Sequence, residues 1–230
     1  MPIDARPTLA APDDDPYLWL EDVESAPALA WVEAQNGATQ AKFANAAFAE
    51  DRDTLAALLD RPDHIPFVTR RGRHLYNFWK DAGNPRGLWR RTTLDSFRME
   101  QPNWEVILDV DALAAQEKED WVWHGASTLP GTHDLAMLSL SRGGGDAVVL
   151  REFDIAAKAF VTGGFYLPEA KGGTDWLDRD TLLLSSAYGK DMATKSGYSR
   201  TVRLWRRGSD VDQAPVLVET TPESMVLWAS

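Results

Sequence analysis

The sequence predicts a mainly β protein, a partial β-propeller of about three four-stranded blades preceded by an α-helical N-terminal arm. Three observations predict it. Short aromatic and β-branched runs recur from Phe67 onward, Gly- and Asn-bearing breaks separate them, and residues 1–60 carry helical spacing where alternation would mark strands.

The arm comes first. Asp15-Pro16-Tyr17-Leu18-Trp19-Leu20-Glu21-Asp22 reads as a short helical or turn-helix element, and Ser25-Ala26-Pro27 supplies a capping hydroxyl and an early proline. Leu29, Val32, Asn36, Thr39, Phe43 and Ala47 then fall at three- and four-residue steps, the mostly apolar stripe of a helix laid on another surface. A second short helix is expected from about Asp51 to Asp60, with Leu55, Leu58 and Leu59 on one side, ending at Arg61-Pro62.

The first repeat unit reads Phe67 to Arg70, Leu75 to Trp79, Gly87 to Thr92 and Trp104 to Asp109, with turns at Arg71-Gly72 and Asp81 to Pro85. The second runs through Trp121 to Trp123, Leu135 to Leu140, Ala147 to Phe153 and Ala159 to Thr162, and Arg142-Gly143-Gly144-Gly145-Asp146 is its sharpest hairpin signal. The third has Trp176-Leu177, Thr181 to Ser185, Thr201 to Trp205 and Val216 to Glu219, and Met225 to Trp228 reads as the start of a fourth. Equivalent anchors recur about every 55 residues, close to the ~40–50 of a propeller blade lengthened at its joints. A β-sandwich or an irregular all-β domain would also place strands every ~8–12 residues, so spacing alone leaves those folds open.

Charge follows the same division. Residues 1–60 hold 12 acidic and 3 basic side chains, and residues 61–100 hold 4 acidic and 9 basic, within a chain of net charge −11. That acidity argues against nucleic acid as a partner. The Arg70, Arg71, Arg73, Arg86, Arg90 and Arg91 cluster reads as guanidinium groups at strand ends and turns that cover aromatic edges and stay wet. No stretch is long and apolar enough to span a membrane, and the N-terminal segment Met1 to Pro7 lacks the basic start and apolar run of a signal peptide. With no cysteine, disulfides and thiolate metal sites are excluded, and the expected compartment is the cytoplasm.

Motifs that carry chemistry are mostly absent from the sequence. Ser127, Ser141, Ser185 and Ser196 lack the flanking glycines of a nucleophile elbow. His64, His74, His124 and His133 show no metal-binding spacing, so neither a metal nor a cofactor is expected. Asp120, His124 and Ser127 could be written as a triad, but His124 ends an aromatic strand, where a ring bonded to backbone is the commoner arrangement. The glycines at 143–145 and 172–173 precede strands and not helices, and Gly189-Lys190-Asp191 lacks the rest of a phosphate loop. Trp79, Trp89, Trp104, Trp121, Trp123, Trp176 and Trp205 lie on or beside strands and are read as core packing between blades, with a ligand-binding aromatic shelf as the rival. No catalytic, cofactor or metal residue is therefore assigned.

Asp15 to Asp22 followed by Ala30-Trp31-Val32-Glu33-Ala34-Gln35-Asn36 resembles the N-terminal signature of the prolyl oligopeptidase family of serine peptidases. Tyr76 to Asp81, Asn84 to Thr93 and Trp121 to Gly125 are similar to the first blades of its bacterial members. The resemblance implies an α/β-hydrolase domain capped by a seven-bladed propeller that admits short peptides, cleaved typically after proline by a Ser-Asp-His triad. It also implies that the arm packs on the hydrolase domain. No position here matches the triad motifs, and seven units at the observed period would need ~385 residues. The expectation is thus an arm over 1–62 and an incomplete propeller over 63–230, blades 1 to 3 and the start of blade 4. Such a chain is expected to be inactive by itself, with peptide substrate and the absent hydrolase domain as partners. The alternative is a non-catalytic, propeller-like binding or interaction module.

Overall fold

The computed structural model describes residues 15–61, 63 and 65–229. Met1 to Pro7, Asp13, Asp14, Pro62 and His64, all used in the sequence reading, lie outside the described residues. The described residues form two units, one up to Arg61 and one from Asp63 onward.

In the first unit a 3-10 turn, Leu18–Glu21, precedes helices α1 (Ala26–Phe43) and α2 (Ala46–Leu59). Ser25 Oγ accepts from the Ala28 N–H at 3.3 Å, and Pro27 sits in the first turn, where its missing N–H goes unused. The stripe does not run on to Ala47 in one helix. Asn45 Oδ1 accepts from the Phe48 N–H at 3.0 Å, a second N-cap that closes α1 at Phe43 and starts α2 earlier than Asp51. The ring of Trp19 meets Trp31 edge-on at 6.4 Å, fastening the turn to α1. Leu29, Val32 and Phe43 on α1 and Leu55, Leu58 and Leu59 on α2 are exposed.

The second unit consists of three antiparallel sheets taken in chain order. The first holds β1 (Thr69–Arg71), β2 (His74–Asp81), β3 (Asn84–Thr93) and β4 (Glu105–Asp109), each paired with the next. The second holds β5 (Trp121–Thr128), β6 (Leu135–Arg142) and β7 (Val148–Asp154), and β7 pairs with both β8 (Ala159–Phe160) and β9 (Tyr166–Ala170). The third holds β10 (Gly172–Asp178), β11 (Thr181–Ser186), β12 (Thr201–Arg206) and β13 (Val216–Glu219). This is the predicted partial propeller of three meanders.

Alternation on β6 and β7 explains why the sheets stack. Ala136, Leu138 and Phe153 pack with Tyr76, Trp89 and Ile107 of the first sheet. Leu135, Met137, Val148 and Leu150, one residue out of phase, pack with Trp176, Leu182, Leu184 and Trp205 of the third. Both faces of the middle sheet are therefore core. Glu152, 2% exposed, belongs to the second interface: Arg207 donates to it at 2.6 and 2.8 Å, and the Phe165 N–H at 2.8 Å. Arg203, 1% exposed, donates to the carbonyls of Ser186 and Tyr188 and so ties down the long β11–β12 connection.

The structure contains elements the sequence reading did not anticipate. Two helices, α3 (Leu94–Phe97) and α4 (Val110–Glu117), interrupt the joints on either side of β4. Asp109 Oδ1 caps α4 by accepting from Ala112 N at 2.9 Å, and Val110, Leu113 and Ala114 are buried against Trp121, Leu140 and Val149. The outer strand of the second sheet is not a single run to Thr162. It stops at Phe160, turns through Gly163-Gly164, and resumes as β9, whose Pro168 falls at a bulge opposite Val148 and Leu150. Met225 to Trp228 has no strand pairing; its Leu227 N–H donates to the Ser199 carbonyl at 2.8 Å.

Two substitutions check this packing by chemical denaturation. Trp89→Ala is expected to cost about 3–5 kcal/mol through the cavity left between the first two sheets. At Gly172, with φ +146°, an added Cβ would stand 2.2 Å from the Ser185 carbonyl oxygen. Gly172→Ala is therefore expected to destabilise the third sheet by more than the ~1 kcal/mol of an ordinary glycine replacement.

Candidate functional site

The first strands of the three sheets, β1, β5 and β10, are each an edge strand of their own sheet. Trp176 Nε1 on β10 donates to the Ser127 carbonyl on β5 at 2.9 Å. β1 and β5 face each other across a hollow of about 170 Å³ whose walls include Thr69, Arg71, Tyr76, Trp89, Trp123 and Ala126. The aromatic wall is rigid: Phe78 stacks on Trp123 at 5.0 Å, and Trp89 lies 5.5 Å from Trp123 and 5.5 Å from Tyr76.

Beside this hollow, the β1–β2 turn meets the turn between β5 and β6. Gly72 takes φ +56° and His133 φ +51°, and a Cβ on Gly72 would lie 3.4 Å from His133 Cδ2. Between the two turns opens a cleft of about 390 Å³ with Arg71, Arg73, His74, Arg91, His133 and Asp134 on its walls. Asp134 is engaged by Arg179 and by Thr132 Oγ1. Arg91 is held by Glu105 at 2.6 Å, and that hydrogen bond leads the causes that pull the Glu105 carboxyl below the ordinary glutamate value. Burial first, then the positive fields of Arg91 and Arg73, push the His74 imidazole below its usual 6.5.

The arginine cluster divides. Arg90 is not at a strand end: it stands mid-β3, its guanidinium 4.2 Å from the Trp79 ring and 4.3 Å from the Trp104 ring, and Asn77 Oδ1 accepts from its Nε at 2.9 Å. Burial pushes its pKa down to about 10. Arg86 pairs with Asp120 at 2.6 Å and donates to the Trp121 carbonyl at 2.9 Å. Arg70, Arg71 and Arg73 stay at the β1–β2 turn, and no carboxylate lies within ion-pair distance of Arg71 or Arg73 among the described residues.

The triad-like residues are not brought together. Asp120 is taken by Arg86, Ser127 Oγ faces Asp175 at 3.5 Å, and His124 is exposed beside a bulge in β5. No group of three potential ligands suited to a metal ion occurs among the described residues. No helix among them is long and apolar enough to cross a membrane. Trp89, Trp121, Trp176 and Trp205 are buried, and Trp79, Trp104 and Trp123 are half-buried. The cleft itself was hidden in the sequence, because it depends on two turns about 60 residues apart. The available signal was the Arg71-Gly72-Arg73 triplet at a predicted turn.

Because burial first, and then Arg91 and Arg73, disfavour the charged His74 ring, the stability that this imidazole contributes is complete above pH 6.5 and is lost as pH falls through its lowered pKa. An NMR titration should find the His74 midpoint below 6.5 and find it moved upward in Arg73→Ala.

Residues 11–229 match the family model described as prolyl oligopeptidase, N-terminal beta-propeller domain. Over 216 residues the chain is 40% identical to an uncharacterised peptidase of Sinorhizobium fredii, covering 92% of this chain and 30% of that one. An uncharacterised peptidase of Rickettsia prowazekii is 31% identical over 215 residues, 89% of this chain and 30% of the relative. Among solved structures, a post-proline cleaving enzyme from Rickettsia typhi superposes with a TM-score of 0.81 at 30% identity, covering 89% of this chain and 31% of the other. Oligopeptidase B from Leishmania major shares the fold, with a TM-score of 0.66 at 19% identity over 89% of this chain and 28% of its own. The chain thus spans about 30% of the length of the curated relatives it matches.

Proposed function

The chain belongs to the prolyl oligopeptidase family through its N-terminal propeller domain, and from that premise we propose that it is the gating portion of a serine peptidase acting on short peptides, typically after proline. The observation that carries this reading is the match over residues 11–229, joined to three sheets that follow one another in chain order. In the proposed whole enzyme, residues 63–230 form blades 1 to 3 and the lead into blade 4, and they help restrict the size of peptide admitted. Residues 1–62 form an arm that lies on an α/β-hydrolase domain. The exposed Leu55, Leu58 and Leu59, 53–77% accessible, support that role, since an apolar helix face left in water costs the burial energy it could gain against a partner.

The Ser-Asp-His triad is assigned to that hydrolase domain, because none is assembled among the described residues here. The peptide substrate and the hydrolase domain are the proposed partners, with no role for nucleic acid or membrane. The cysteine-free composition fits a cytoplasmic setting.

A chromogenic prolyl-peptide assay tests the assignment of the chemistry. The purified 230-residue chain is expected to show no turnover above buffer. Turnover that a serine-directed inhibitor abolishes would place a catalytic centre within this chain and overturn the reading.

A further inference from the structure

We propose that the cleft between the β1–β2 and β5–β6 turns binds the carboxylate of an acidic peptide, whose chain continues into the adjoining hollow between β1 and β5. The proposal rests on the reading that this propeller meets peptides, and it assigns a charge preference to that encounter.

The charge balance of the cleft is the first argument. In a chain of net charge −11, Arg71 and Arg73 have no carboxylate partner among the described residues. The hydrogen bond from the Arg71 side chain runs to the Arg70 carbonyl at 3.4 Å, which leaves most of its guanidinium donors unused. The acid on the wall, Asp134, is already committed to Arg179, and Arg91 is committed to Glu105. Two guanidinium groups thus stand uncompensated on a concave surface, and that geometry strengthens charge-assisted hydrogen bonds to a carboxylate compared with a flat, fully wetted face.

The second argument is continuity. Arg71 and Tyr76 line both the cleft of about 390 Å³ and the hollow of about 170 Å³, so the two form adjacent compartments of one groove. One is cationic, and the other is mixed, with Thr69, Asn77 and Thr128 beside Tyr76, Trp89 and Trp123. Tyr76 and Trp89 are 6% and 5% exposed and held by their ring contacts, so this wall is in place before any ligand arrives. A carboxylate on an extended peptide matches this pair of compartments. Burial first, and then Arg91 and Arg73, lower the His74 imidazole on the cleft wall, consistent with that charge balance.

Isothermal titration calorimetry on the 230-residue chain tests the proposal with three hexapeptides: alternating Glu and Leu, the same peptide amidated at its C-terminus, and alternating Lys and Leu. The acidic peptide should bind at least about tenfold more tightly than the basic one, and the preference should shrink as salt is raised. Unchanged affinity on amidation assigns the contact to side-chain carboxylates, and loss assigns it to the terminal carboxylate; either supports the site. Arg71→Glu with Arg73→Glu should weaken the acidic peptide by about tenfold or more, whereas Lys190→Glu, elsewhere on the surface, should leave it unchanged. Arg71→Gln with Arg73→Gln repeats the test with little structural change, and circular dichroism verifies folding of each variant. Equal binding of acidic and basic peptides, or full affinity in the folded glutamine variant, overturns the proposal. If a neutral prolyl peptide binds while the acidic one does not, the charge preference fails and the peptide-gating reading stands.

Discussion

The second unit depends on one constraint: its middle sheet is apolar on both faces and is stable only between two neighbours. Period-two alternation along β6 sends Ala136, Leu138 and Leu140 to one side and Leu135 and Met137 to the other, and every one of these residues is buried. A sheet of this kind cannot turn one face to water, as an ordinary antiparallel sheet can. The aromatic wedges follow from it. Trp89, Trp123 and Phe153 fill the first interface and Phe165, Trp176 and Trp205 the second, because twisted sheets that splay apart leave gaps too wide for aliphatic side chains.

The polar groups inside these interfaces are subordinate to the same packing. At 2% exposure the Glu152 carboxyl is held by the Phe165 amide of its own sheet and by Arg207, which reaches it because the second and third sheets are pressed together. The surface groove has the same origin. Stacking the first two sheets brings the turn at Gly72 against the turn at His133, and the cationic cleft lies where they meet. The site is therefore a by-product of the blade interface, with rigid aromatic walls and a charge carried by the turns.

Strand cores were legible wherever aromatic and β-branched runs met a glycine turn, as at Leu75 to Trp79 and Ala147 to Phe153. α4 was not, although Asp109 is a good N-cap, because eight residues of Ala-rich sequence between two strands look like a joint until Trp121 and Leu140 bury them. β9 escaped for the opposite reason: Tyr-Leu-Pro-Glu-Ala is poor strand sequence, and its pairing with β7 is imposed by the reversal at Gly163-Gly164. Arg90 was misplaced among wet arginines. Nothing local announces that Trp79 on β2 and Trp104 just ahead of β4 close around it.

What the sequence by itself determined is the kind of molecule: three meanders behind a helical arm, the family they resemble, and the lack of a recognisable catalytic motif. These are carried by short-range patterns, alternation, turn residues and caps, which act within a few residues of chain. The tertiary structure alone decided which surfaces meet. The pairing of Glu152 with Arg207, the closing of Trp79 and Trp104 around Arg90 and the groove between the turns at Gly72 and His133 each join residues far apart in the chain. Such contacts are set by the register and stacking of whole sheets, and no window of sequence short enough to show a pattern contains them.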